Sequence, residues 1–183
     1  LKAVLQAHAY QWVKTEFAAR MQQRAEMSFD DLLTQLWRAL NDGDQGRHLA
    51  KALVNSFPVA LIDEFQDTDP IQYGIFDAIY QVEQNNPASA LIMIGDPKQA
   101  IYSFRGADIH TYLAARSATG HRQYTLAKNF RSTEGIVKAC NHLFQHAEQH
   151  PRGAFRFKPE TGENPIPYVE VEAAGRQDQF IVQ

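Results

Sequence analysis

Apolar residues follow two different periods along this chain, and the alternation of the two predicts an α/β fold. Runs typical of strands occur at PVALID (58–63), ALIMIGD (90–96) and RQYTLA (122–127). Apolar residues at helical spacing occupy 1–26, 29–40, 47–56, 70–80, 107–116 and 132–144. Strands that alternate with helices predict a layered structure with a parallel sheet, and the PVALID run predicts a strand covered on both faces.

Polar residues mark where several of these elements begin and end. Ser28 has the pattern of a helix N-cap, with Asp31 three residues later as its capping-box partner, and Ser132 is predicted to cap a later helix. The remaining segments predict a loop at NDGDQG (41–46), a loop at 151–165 and an exposed or edge strand at PYVEVEA (167–173).

The overall composition indicates a globular protein of one or two domains. The chain has 183 residues, 44% of them hydrophobic, and Cys140 is its single cysteine, which excludes an internal disulfide and favours the cytoplasm. The sequence has no apolar run of membrane-spanning length and no signal-peptide pattern, so no membrane partner is expected. Because it starts at Leu1 inside a helical pattern, we expect it to be an internal fragment of a longer protein.

The net charge of −3 conceals an uneven distribution of charge. Residues 59–97 include seven acidic residues and no lysine or arginine, whereas residues 98–138 include seven basic residues and two acidic ones. An acidic block followed by a basic block fits a metal site beside a polyanion site, and it fits ordinary surface charge equally well.

The acidic residues cluster where the first predicted strand ends, in LIDEFQDTD (61–69). Ligands gather at the carboxyl ends of parallel strands, where Asp63 could hold Mg²⁺ against nucleotide phosphates and Glu64 could act as a general base. Asp69 has the position of a helix N-cap, and Asp67 could be a structural hydrogen-bond acceptor. A solvated loop with helix-capping acids would give the same pattern, so this stretch alone leaves both interpretations open.

The second strand leads into IGDPKQAIYSFRGAD (94–108), which adds polar and aromatic candidates. The amide of Gln99 could touch a phosphate oxygen or an attacking water. Tyr102, Phe104 and Arg105 could form a platform on which unpaired bases stack, although the rings could instead belong to the core.

The third predicted strand ends in LAKNFRSTEG (126–135), which contains Phe130 and Arg131. A phenylalanine ring can stack on adenine, and an arginine can neutralise charge that develops on a γ-phosphate. An arginine in such a position can also simply bond a neighbouring loop carbonyl.

Together these stretches resemble helicase superfamily 1 of the UvrD/Rep type. FDDLL (29–33) is similar to the family's motif before Walker B, LIDEFQDTDPIQY to motif II, IGDPKQAIYSFRGAD to motif III and LAKNFRS to motif IV. The order and spacing of the motifs also match, over about residues 28–135. Within the family, GDPKQAIYSFRGAD followed by YTLAKNFRS is most similar to the beta subunits of exodeoxyribonuclease V, a helicase–nuclease complex.

The resemblance implies an ATP site, a Mg²⁺ site and a contact with single-stranded DNA. The ATP site would comprise Asp63 on Mg²⁺, Glu64 as catalytic base, Gln99 as sensor of the γ-phosphate, Phe130 stacked on adenine and Arg131 on the γ-phosphate. The DNA contact would comprise Tyr102, Phe104 and Arg105. The family often has Trp at the position of Phe104 and Tyr or Trp at that of Phe130, so a ring is kept at both.

The resemblance also implies a domain division and a biological setting. Residues 1–27 would be the helical tail of an inserted subdomain, 28–120 the later part of a first RecA-like motor domain, and 121–183 the beginning of a second. The parent would step along DNA in the 3′-to-5′ sense in double-strand break repair and recombination. Its partners would be single-stranded and double-stranded DNA and the gamma and alpha subunits of exodeoxyribonuclease V.

One expected motif is missing, because no glycine in the sequence is followed by lysine. The P-loop G-x-x-x-x-G-K-[ST], which cradles nucleotide phosphates, is therefore absent. We expect the 183-residue chain to be inactive as an ATPase by itself.

Several alternatives remain open from the sequence alone. A metal-dependent nuclease could use Asp63, Glu64, Asp67 and Asp69 as metal ligands. A non-catalytic module could bind single-stranded DNA or a partner protein through the basic block, and a UvrD-like helicase without nuclease is also compatible. The four-residue spacing of His142, His146 and His150 suits Zn²⁺ and suits a polar helix face equally well.

Overall fold

The computed structural model describes residues 2–24, 26–100 and 108–174. The helices are α1 (Lys2–Gln23), α2 (Phe29–Leu40), α3 (Gly43–Ser56), α4 (Pro70–Tyr80), α5 (Ile109–Ala118) and α6 (Glu134–Glu148). The strands are β1 (Val59–Ile62), β2 (Ala90–Met93), β3 (Lys128–Asn129) and β4 (Glu172–Ala173). Short 3₁₀ turns occupy Phe65–Asp67, Val82–Gln84 and Pro97–Gln99.

The strands pair in parallel, as the alternation of strands and helices predicts. β1 pairs with β2 over four residues, from Val59 opposite Ala90 to Ile62 opposite Met93, and β3 pairs with β4 over two. Within the described ranges these are two separate two-stranded sheets. The chain therefore has an α/β fold in which β1 and β2 end at the same edge.

Contacts divide the chain into two compact units. The first comprises residues 1–58 and 71–81, and the second comprises residues 59–70 and 82–183. None of the helices within the described ranges is long and apolar enough to cross a membrane.

In the first unit, α2 begins with the predicted capping box. The Ser28 hydroxyl accepts a hydrogen bond from the Asp31 backbone N–H at 3.1 Å, and the Asp31 carboxylate accepts one from the Ser28 backbone N–H at 3.0 Å. These two bonds satisfy N–H groups that a helix start otherwise leaves unpaired. The Trp37 ring of α2 packs on Gly74 of α4, where a Cβ atom would lie 2.6 Å from the ring.

In the second unit, arginine side chains fasten turns to the end of α5. The Arg122 guanidinium donates to the Val82 carbonyl at 2.7 Å and to Asn85 Oδ1 at 2.8 Å. Arg116 donates to the Pro165 carbonyl at 2.7 Å. Arg122 also donates to the Ala118 carbonyl at the end of α5 at 3.2 Å, so these bonds tie the segments before β2 and before β4 to the same helix.

Four predictions of secondary structure need correction. Residues 122–127 form no strand in the described structure, because none of the described residues covers their alternating apolar side chains, and Tyr124 and Leu126 remain 96% and 86% exposed. The predicted strand at 167–173 is reduced to β4, which pairs with two residues of β3 within the described ranges. The loop at 41–46 is shorter than predicted, since α3 already begins at Gly43. The last helix is capped at Thr133 rather than Ser132, without a side-chain hydrogen bond.

The prediction that PVALID forms a strand covered on both faces is also wrong. Alternate residues of β1 and β2 are half-buried and exposed, and Val59 and Leu61 are each 61% exposed. Nothing in the described part of the chain covers this face, so only one face of the pair is packed.

Candidate active site

Two candidate carboxylates, those of Asp63 and Glu64, lie directly after β1, in a turn that contains one left-handed residue. Glu64 has φ 52° and ψ 42°, a left-handed conformation that costs a non-glycine residue about 1–2 kcal/mol. Its backbone N–H donates to Asp63 Oδ1 at 2.9 Å, and its carbonyl accepts from the Asp67 backbone N–H at 2.9 Å. The turn leaves the side chains of Asp63 and Glu64 exposed at the end of the strand.

A buried glutamine joins this turn to the end of β2. The side chain of Gln66, which is only 2% exposed, donates through Nε2 to Glu64 Oε2 at 2.7 Å. Its Oε1 accepts from the backbone N–H of Asp96, thirty residues along the chain, at 3.0 Å. One amide therefore bridges the two strand ends where the sequence places candidate residues.

Asp96 organises the second strand end. Its carboxylate accepts from the backbone N–H of Lys98 at 3.0 Å and from Gln99 Nε2 at 3.3 Å, and it pairs with Lys98 Nζ at 2.8 Å. Partial burial tends to raise the pKa of Asp96, but the hydrogen bonds and charge of Lys98 and the amide of Gln99 outweigh it and lower the pKa. The carboxylate thus stays ionised and holds Gln99 at the same edge as Glu64.

Aromatic side chains pack against the residues at the ends of β1 and β2. Phe65 is 3% exposed, and its ring centroid lies 5.8 Å from that of Tyr112 in α5. The Tyr112 hydroxyl donates to the Gly95 carbonyl at 3.4 Å, and burial raises the pKa of this phenol. The polar turn therefore rests on a partly buried layer that stays uncharged near neutral pH.

The edge fits Mg²⁺ through Asp63 in particular. This carboxylate is exposed, and only its Oδ1 accepts a hydrogen bond from the residues that the structure describes. Exposed carboxylate oxygens are the hard ligands that Mg²⁺ takes in company with water and phosphates. Across the described ranges, no group of three or more His, Cys, Asp or Glu is arranged to hold a metal, so the four-carboxylate nuclease ligand set is not assembled there.

The predicted ATP contacts near β3 lie on a turn that a local side chain holds. Asn129 Oδ1 accepts from the backbone N–H of Arg131 at 2.9 Å and from that of Ser132 at 2.8 Å. Phe130 is 73% exposed, and Arg131 is also exposed. Both residues are therefore exposed on this turn.

The remaining candidates are placed only in part. Tyr102, Phe104 and Arg105 lie outside the described residues. On α6, His142 and His146 are exposed, whereas His150 follows the end of the helix. The three histidines thus do not share one continuous helix.

Sequence reasoning missed Gln66, Asp96 and Asn129 as organising residues. Asp96 precedes a proline, the same Asp-Pro signal that marks the start of α4, so a cap could have been predicted there. Asn129 is of a residue type that commonly closes local turns. Gln66 carried no such signal, because its partner lies thirty residues away.

The chain belongs to the UvrD/REP helicase family, whose N-terminal domain matches residues 2–119. Among individual proteins, it is 46% identical over 164 residues to the RecBCD enzyme subunit RecB of Escherichia coli K12, a match that covers 90% of this chain and 13% of the relative. It is 53% identical over 121 residues to RecB of Haemophilus influenzae, covering 65% of this chain and 10% of the relative. RecB of Mycobacterium tuberculosis H37Rv is 38% identical over 143 residues, covering 74% and 12%. The chain thus spans a small part of the length of these relatives.

Proposed function

We propose that this chain supplies the hydrolytic edge of an ATP-driven DNA motor, within a RecBCD-type helicase–nuclease subunit that acts in double-strand break repair and recombination. The single observation that carries the proposal is the Gln66 bridge, which links Glu64 to Asp96, the residue that holds Gln99. Asp63 lies at the same strand end, next to Glu64. Family membership and the likeness to RecB subunits support the same function.

The residues at the edge divide the chemistry among them. Asp63 holds Mg²⁺, which neutralises charge on the phosphates when bound. Glu64 keeps Oε2 on Gln66 and accepts the proton of the attacking water on Oε1, which bonds to none of the described residues. Gln99 reaches the γ-phosphate or the water, with its amide steadied by Asp96.

The other predicted residues complete the motor. Phe130 stacks on adenine, and Arg131 contacts the γ-phosphate and stabilises the charge that develops during cleavage. We further propose that Tyr102, Phe104 and Arg105 contact single-stranded DNA. Opening and closing of two RecA-like domains, with a boundary near residue 120, would then drive 3′-to-5′ stepping; the family match, which ends at residue 119, supports that boundary.

ATP turnover would need a P-loop from outside these 183 residues, since the sequence has none. We therefore propose that the sequence belongs to a longer cytoplasmic protein that works with gamma and alpha subunits, and that the 183-residue chain alone does not hydrolyse ATP. The chain covers only 13% and 10% of the length of two RecB relatives, which supports the proposal of a longer protein.

Unwinding by the longer protein tests the proposal. We expect ATP-dependent unwinding of a duplex with a 3′ single-stranded tail and little unwinding of one with a 5′ tail. Glu64→Gln should abolish unwinding, and Glu83→Gln, the same change at an exposed residue, should leave it intact. Binding of tailed DNA without ATP-dependent unwinding or hydrolysis would favour a non-catalytic binding module instead.

A further inference from the structure

The buried amide of Gln66 occupies a position that few side chains could fill. It meets a carboxylate oxygen, which can only accept, and a backbone N–H, which can only donate. An amide offers both a donor and an acceptor at the same end of one side chain, whereas glutamate at neutral pH offers only acceptors. The two short bonds therefore depend on glutamine chemistry as well as on side-chain length.

The neighbouring backbone is shaped to admit this amide. A Cβ atom at Gly95 would lie 2.8 Å from Gln66 Oε1 and 3.1 Å from the backbone nitrogens of Phe65 and Gln66. Any residue with a side chain at position 95 would thus press on the bridge. The absence of a side chain at Gly95 allows the two strand ends to approach as closely as they do.

The bonds continue in a chain from one candidate residue to another. Glu64 Oε2 accepts from Gln66, Gln66 Oε1 accepts from the Asp96 backbone, and the Asp96 carboxylate accepts from Gln99 Nε2. Three hydrogen bonds of 2.7, 3.0 and 3.3 Å thus connect Glu64 with Gln99.

We infer that Gln66 is a positioning residue that fixes the Glu64 carboxylate and couples its orientation to that of Gln99. The inference rests on the proposed function, in which Glu64 acts as base and Gln99 meets the γ-phosphate. Gln66 itself is buried and acts through Glu64, so it need not touch the nucleotide. Its loss should affect the rate of the chemical step more than the affinity for ATP.

Gln66→Met in the full-length protein tests the inference, since methionine keeps the length of the side chain and removes both hydrogen bonds. We expect kcat for ATP hydrolysis to fall about tenfold or more, with KM for ATP changed by less than about threefold. Gln84→Met makes the same substitution at an exposed residue, and this variant should hydrolyse ATP at the wild-type rate.

A double-mutant cycle with Glu64→Gln distinguishes positioning from a general structural role. In single-turnover reactions, adding Gln66→Met to Glu64→Gln should lower the rate by less than about twofold, because the base it positions is already gone. An equal loss in both backgrounds, or a wild-type rate for Gln66→Met, would overturn the inference.

Gly95→Ala provides a second route if Gln66→Met does not fold, since its Cβ displaces the amide without removing it. The same loss of kcat and the same non-additivity with Glu64→Gln are expected, and a wild-type rate or simple additivity would overturn the inference.

The Glu64→Gln variant distinguishes failure of the proposed function from failure of the proposed role of Gln66. If Glu64→Gln alone hydrolyses ATP normally, the proposed function fails; if it is inactive while both other variants behave as wild type, only the role of Gln66 fails.

Discussion

The β1–β2 edge (residues 63–67 and 95–99) and the 128–133 turn both carry residues predicted to meet ATP, but they are held in different ways. At the edge, the buried Gln66 links segments thirty residues apart and a four-residue parallel ladder lies behind it. The turn, in the described part of the chain, is held by the two-residue pairing of β3 with β4 and by two hydrogen bonds to the Asn129 side chain. The edge is therefore pre-organised by tertiary contacts, whereas the turn is shaped locally.

This difference predicts how mutations should separate rate from stability. Substitutions inside the edge remove buried bonds and should lower both catalytic rate and stability. Exposed side chains on the turn contribute little to stability, so their substitution should lower the rate and leave the free energy of unfolding nearly unchanged.

Arg131→Ala should give the largest loss of catalytic rate for the smallest change in stability. If its guanidinium stabilises charge on the γ-phosphate, kcat should fall about a thousandfold, as for other arginine fingers. The melting temperature of the full-length protein should stay close to that of the wild type, because the contacts of an exposed side chain add little stability. Arg152→Ala, also at an exposed position, serves as the control, and a rate loss of equal size there would remove the contrast.

Phe130→Ala should affect nucleotide affinity. Loss of a ring that stacks on adenine should raise KM for ATP about tenfold, whereas Phe130→Tyr should retain near wild-type KM. Because the ring is 73% exposed, thermal unfolding should shift little in either variant. Equal KM values for the alanine and tyrosine variants would count against stacking at this position.

Asn129→Ala tests the local support of the turn. Removing the acceptor of two backbone N–H groups should cost about 1 kcal/mol of stability and lower kcat several-fold, since Arg131 loses its fixed backbone. Asn129→Asp keeps an acceptor oxygen at the same place and should retain most of the stability and most of the kcat of the wild type. Chemical denaturation and steady-state ATPase assays of the pair measure the two quantities, and identical behaviour of the two variants would refute this role of the Asn129 oxygen.

Asp96 should make the stability of the β1–β2 edge sensitive to acid, and this is the smallest of the expected effects. Because its pKa is lowered in the folded state, its contribution to stability is complete above the unfolded carboxyl pKa of about 3.9 and disappears as the pH falls through the lower folded value. The destabilisation caused by Asp96→Asn should therefore be larger at pH 7 than at pH 3. Solvent screens this half-buried pair, so we expect a difference below about 1 kcal/mol in urea unfolding. A constant difference at both pH values would contradict the electrostatic role.

The sequence predicts the edge well and the turn less well, for physical reasons. Parallel strands end at one side of a sheet, so Asp63, Glu64 and Gln99 could be expected together. The Gln66 bridge could not be predicted, because it depends on a partner thirty residues along the chain.

The strand predicted at 122–127 failed for a related reason. Its alternating residues fit a strand in isolation, but a strand also needs a neighbour that supplies hydrogen bonds and cover. In the described residues β4 pairs only with Lys128 and Asn129, so the local pattern overstated the strand. Local patterns predicted the helices and the capping box, which depend on residues close in sequence.

Single-turnover cleavage of ATP by the full-length protein bound to single-stranded DNA tests the central claim most directly, with wild type and Glu64→Gln compared and equilibrium affinity for ATP measured alongside. If the β1–β2 edge carries the base for hydrolysis, Glu64→Gln should bind ATP within a few-fold of the wild type and cleave it about a hundredfold more slowly or worse. Cleavage at the wild-type rate would show that the edge does not perform this chemistry.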